Sequence, residues 1–159
     1  MAPSFRKTIA AFEVIGGISG PCFVAYDLLT AHSTPADLIA AAVFSAIYIF
    51  ALYAGVALWQ DRRSGYICSA VVQIIQWPKI LSAKVAFMMS FGVDFSAMLV
   101  SVPANNTFGV EYSLRFLCDH LLQIGDPSMP YGLGISLISC VVLMVFVDTF
   151  FRKKVRVPA

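Results

Sequence analysis

Apolar residues recur along this chain with two different periods. Between 83 and 122 they alternate with polar or small ones. Val85, Phe87, Met89, Phe91, Val93, Phe95, Ala97 and Leu99 fall on odd positions, with Lys84, Ser90, Gly92, Asp94 and Ser96 between them. After Pro103-Ala104-Asn105-Asn106 the apolar set moves to even positions: Phe108, Val110, Tyr112, Leu114, Phe116. Period two marks a strand with one apolar face. Two such runs around a Pro/Asn turn predict a long amphipathic β-hairpin over about 83–122. If Val102 and Thr107 flank the loop, Asp94 faces Arg115 and Ser96 faces Ser113. Both apolar sets then share one side, as a hairpin requires. A helical alternative remains open. Residues 83–102 would be a fifth helix, and Val110, Leu114, Leu117 and Leu121 also fit one helix face, with Glu111 and Arg115 an i, i+4 pair. That arrangement would carry Lys84 and Asp94 into lipid.

The remaining apolar runs are unbroken and close to the roughly 20 residues a membrane span needs. They predict helices at about 8–29, 36–59, 65–81 and 127–151. Thr34-Pro35-Ala36-Asp37 supplies a cap, a first-turn proline and an acidic residue for the second. Pro78 disturbs the end of the third, and Asp126 before Pro127 caps the fourth. The expected fold is an α-helical integral membrane protein: a single membrane domain, 1–159, with four transmembrane helices and a β-hairpin inserted between helices 3 and 4.

Composition supports this class. The chain is 59% hydrophobic and 13% charged, against about 25% charged in soluble domains. A net charge of +2, with no basic run, excludes a nucleic-acid partner. Arg6 and Lys7 precede the first run, Arg62 and Arg63 separate the second from the third, and Arg152, Lys153 and Lys154 follow the fourth. Four spans with both termini cytoplasmic satisfy the positive-inside rule at every loop. The expected location is a bacterial inner membrane. The first run is too long for a signal-peptide core and holds Glu13, so it reads as a retained helix.

Candidate chemistry is sparse. Cys22, Cys68, Cys118 and Cys140 are scattered, and His32 and His120 lie far apart, so neither a metal site nor a cofactor is expected. No hydrolase, zinc-protease or phosphate-loop motif is present, and the chain reads as a non-enzyme. Ionisable residues within a membrane span point to function. Glu13, with Gln73 and Gln76 of the third run, forms a candidate intramembrane polar site, or else interhelical hydrogen bonds that fix packing. Gly16, Gly20 and Pro21 mark the first run for close helix packing. The polar hairpin face, Ser90, Asp94, Ser96, Glu111, Ser113 and Arg115, would line a lumen if hairpins paired between subunits. The expected function is a homo-oligomeric pore in the lipid bilayer. The alternative is an accessory subunit that binds another membrane protein through the hairpin.

Overall fold

Helix α1 spans Pro3–Thr30 without interruption, with Pro21 inside it. The computed structural model describes residues 1–30, 35–82, 84–102, 107–124 and 130–155. The expected caps at Thr34 and Asp126 and the hairpin loop at 103–106 lie outside them. Helix α2, Pro35–Trp59, begins at a proline and carries Asp37 in its first turn. It ends in a Schellman turn: the Arg62 N–H bonds Ala57 O, the Asp61 N–H bonds Leu58 O, and Asp61 takes the left-handed conformation (φ 59°). Asp61 also pairs with Arg6 and accepts the Tyr66 hydroxyl at 2.6 Å, tying the start of α1 to this turn.

Helix α3 spans Arg63–Gln76 and stops earlier than the expected 81. Trp77 still has helical angles (φ −60°, ψ −53°) and its N–H bonds Ile74 O, but Pro78 has no N–H to continue the ladder, so the helix ends there and Pro78–Leu81 becomes a strand, β1. The hairpin strands are β2, Val85–Val102, and β3, Thr107–Ile124. They pair antiparallel from Val85↔Ile124 to Val102↔Thr107, with Asp94 opposite Arg115 and Ser96 opposite Ser113. A further strand, β4, covers Gly132–Ser136, and only then does α4, Leu137–Val155, begin. The fourth helix is therefore shorter than the expected 127–151 at its start. Gly132 and Gly134 weaken the helical state there.

The hairpin is thus part of a four-stranded sheet, ordered β1-β4-β2-β3. Strand β4 pairs with the far half of β2, from Ser96↔Ser136 to Val100↔Gly132. Strand β1 pairs with β4 and, at Ile80↔Phe87, with β2. These three strands close on one another, so the sheet curls shut on that side and stays open at β3.

Of the described helices, α1 and α2 are long and apolar enough to cross a membrane, which associates the chain with one. The expectation of four such helices is corrected. The 14 residues of α3 reach about 21 Å, short of the roughly 30 Å of hydrocarbon. The described apolar stretch of α4 is Leu137–Thr149, shorter than a span needs.

Gly92 divides the sheet. Its φ of +77° is one that L side chains rarely adopt, and a Cβ there would lie 2.7 Å from Phe12 Cβ on α1. Before this point the apolar row packs on helices: Met89 and Phe91 are buried with Val24, Phe44, Tyr48 and Ala51. Beyond it the apolar row of β2 loses that cover, while the even positions stay buried, as Ala86 and Ser90 are before it. Asp94, Ser96, Met98 and Val100 turn inward, and Phe95, Leu99, Tyr112, Leu114 and Phe116 turn outward. A second core of Ile9, Ala10, Leu58, Tyr66, Val142 and Phe146 joins α4 to the other helices.

Candidate functional site

Three arrangements emerge where the sequence placed candidate residues. The first is Glu13, buried at 1% exposure between α1 and α3. Its Oε1 accepts the Ser69 hydroxyl and, at 3.2 Å, the Gln73 amide. Its Oε2 has no hydrogen-bond partner among the described residues. Ser69, Gln73 and Gln76 follow i, i+4, i+7 spacing on α3, so they form one stripe. Gln76 leaves the expected trio: its Oε1 instead accepts the Phe91 N–H at 3.2 Å.

The second arrangement went unread in the sequence. Lys79 of β1 and Asp94 of β2 form an ion pair at 2.9 Å, exposed by only 3% and 0%. Ser136 donates to Asp94 Oδ1 at 2.5 Å, and its Oγ accepts the Ser139 N–H at 3.3 Å, so it also caps α4. Lys79 further donates to Met89 O at 2.5 Å. On its edge away from β3, strand β2 has no described strand neighbour between its bridge to β1 at Phe87 and its ladder to β4 from Ser96. Lys79 and Gln76 fill that gap by bonding the buried Met89 carbonyl and Phe91 amide. Buried backbone groups demand such partners, and that gives both side chains a structural task.

This corrects the expected polar hairpin face. Asp94 does stand opposite Arg115, but its ionic partner is Lys79, while Arg115 pairs with Asp119 along β3. Ser90, Asp94 and Ser96 are enclosed within the subunit. Ser96 and Ser113 share a hydrogen bond at 2.8 Å. Only the β3 members of the set, Glu111, Ser113 and Arg115, remain accessible. Glu111 is exposed and makes no ion pair with the described residues.

The third arrangement is the outer edge of β3. This 18-residue strand pairs with β2 on one side and with no other described strand. Its outward row is apolar and exposed: Phe108 71%, Tyr112 69%, Phe116 66%, with Val110 and Leu114 between them. Farther along, the same row turns onto the helices. Cys118 donates to Gly16 O at 2.9 Å and lies 3.1 Å from Ser19 Oγ. His120 meets Tyr48 Oη at 3.2 Å and Asp27 at 3.4 Å. The expected glycine pair also divides. Gly20 faces Tyr48 and Gly17 faces Leu52, both on α2, but Gly16 faces Phe91 of the sheet.

Comparison with family models, curated proteins and solved structures gives no match for this chain. Function must therefore be argued from geometry. Truncating Glu13 tests the first arrangement. Glu13→Ala strands the Ser69 hydroxyl and the Gln73 amide in the interior, a loss of about 1–3 kcal/mol. Glu13→Gln retains an acceptor and is expected to recover most of it, as read by thermal unfolding in detergent.

Proposed function

We propose that this chain is an integral membrane protein that works by self-association through the β3 edge, as a non-enzymatic assembly subunit. The supporting observation is a long strand edge with no described strand neighbour, beneath an outward apolar row. In hydrocarbon every backbone donor and acceptor needs a partner, and an open edge has none. Strand addition supplies both the hydrogen bonds and cover for the side chains. The chain as a whole also has its polarity turned outside in. Ile18, Ile39, Ile49 and Met144 are exposed while Glu13, Lys79 and Asp94 are buried, the pattern suited to lipid rather than water. In this reading α1 and α2 cross the bilayer, both termini are cytoplasmic, and a bacterial inner membrane is the setting.

Native mass spectrometry from mild detergent tests the reading. The expected result is a multiple of the protomer mass. A monomer at every protein concentration would overturn it. A pore is the second reading, favoured by the accessible polar side chains of β3. It draws less support because Asp94 and Ser96, which should line the lumen, are closed off inside the subunit. Vesicles loaded with a potassium-sensitive dye separate the two. Retention of the dye favours assembly; leakage that Arg115→Ala alters favours the pore.

A further inference from the structure

We infer that the β3 edge takes a second copy of this chain, antiparallel, about a two-fold axis through Ser113. The inference rests on the self-association reading and specifies its symmetry and register. Symmetry follows from the sheet. A head-to-tail ring would pair β3 with the opposite end of a neighbouring sheet. That end is β1, four residues long and already bonded to both β4 and β2. It cannot cover an edge of 18 residues. The one edge that matches β3 in length is another β3, and two identical edges meet about a two-fold axis.

Register follows from charge. Residues directly opposite in an antiparallel pair lie on the same face of the sheet. Under a two-fold axis each position therefore meets one an even number of places away, so a residue on β3 must sit on the axis. Centring on Arg115 places it against the partner's Arg115 and Glu111 against the partner's Asp119, all like charges. Centring on Glu111 opposes two carboxylates. Centring on Leu117 gives Arg115 the partner's Asp119, duplicating a pair that Arg115 already makes within its own strand, and leaves Glu111 without a cation. Centring on Ser113 places Glu111 against the partner's Arg115, twice by symmetry. The exposed Glu111 carboxylate, without an ionic partner among the described residues of its own subunit, then gains one.

The apolar row agrees with this centre. Tyr112 meets the partner's Leu114, and Val110 meets the partner's Phe116. The overlap runs over 107–119, the part of β3 that projects from the helices, and it stops before His120, which is held by Tyr48 and Asp27. Two apolar rows of the subunits thus merge into one surface at the bilayer.

Cross-linking of the full chain, with its four native cysteines replaced by alanine, tests the register. A residue on the axis lies about 4.5–5.5 Å from its own copy, Cα to Cα, within reach of a disulfide. Ser113→Cys should oxidise to a dimer fastest, ahead of Arg115→Cys and Leu117→Cys. Faster oxidation at either of the other two would overturn the register. A charge swap in the native-cysteine chain guards against misfolding of these variants. Glu111→Arg should weaken dimerisation about tenfold or more, since it turns two attractive cross-strand pairs repulsive, and Arg115→Glu added to it should restore the dimer. No loss, or no restoration, counts against the pairing. A native dimer without cross-linking at Ser113 sinks the register and spares self-association; a monomer sinks both.

Discussion

Asp94→Ala is expected to destabilise the protein by about 3–5 kcal/mol, the usual consequence of leaving one partner of a buried ion pair alone. The expectation rests on enclosure. Asp94 is fully buried and Lys79 nearly so, which leaves the ammonium stranded in the interior. The Ser136 hydroxyl loses its acceptor in the same substitution, so the N-terminus of α4 loosens as well. Replacing both charges, as Lys79→Met with Asp94→Leu, should recover most of the loss, because two well-packed apolar groups carry no desolvation penalty. Recovery will stop short of wild type by the bond from Lys79 to the Met89 carbonyl, about 1 kcal/mol or more. Thermal unfolding in detergent reads all three variants. An Asp94→Ala variant that melts with wild type would mean the pair is solvated and the sheet does not close around it.

Gly20→Ala should be strongly damaging to the packing of α1 on α2. A Cβ at this position falls within the Tyr48 ring, and Tyr48 is completely buried. The ring has nowhere to go: Phe91 lies edge-on with ring centroids 5.1 Å apart, and His120 is hydrogen-bonded to the hydroxyl. Overpacking of a closed core costs about 1–3 kcal/mol and sometimes more; this site belongs at the top of that range. Gly16→Ala is the internal comparison. There a Cβ would stand 3.0 Å from Phe91 Cβ, a contact that a small shift relieves. Equal melting temperatures for the two variants would show that α1 and α2 are not packed as closely as described.

The hairpin was legible in the sequence because period two persists over both strands and the Pro/Asn loop sets the pairing. Val102 against Thr107 determines every other pair, including Asp94 with Arg115. Strands β1 and β4 were not legible. Pro78-Lys-Ile-Leu and Gly132-Leu-Gly-Ile-Ser are too short to show a period and sit against apolar helical runs. Alternation also reveals that a strand has two faces without saying which one is buried. In β2 the even face is buried on both sides of Gly92, and the apolar row passes from buried to exposed at this glycine with positive φ. Part of the polar interior did leave a trace. Ser69, Gln73 and Gln76 form a helical stripe, and only the first two meet Glu13. The buried position of Lys79 left no such trace, because it depends on a strand of only four residues.

The closure of β1, β4 and β2 on one another also bears on the order in which the chain is made. Asp94 takes one partner from upstream, Lys79, and another, Ser136, from well downstream. Strands β2 and β3 can zip together once Ile124 has left the ribosome. Their interior charge stays half-satisfied until Ser136 arrives, and the gap beside β2 is shut only when β4 comes into place. Synthesis therefore passes through a stage in which α1, α2 and α3 are complete and an unfinished sheet waits for its last short strand.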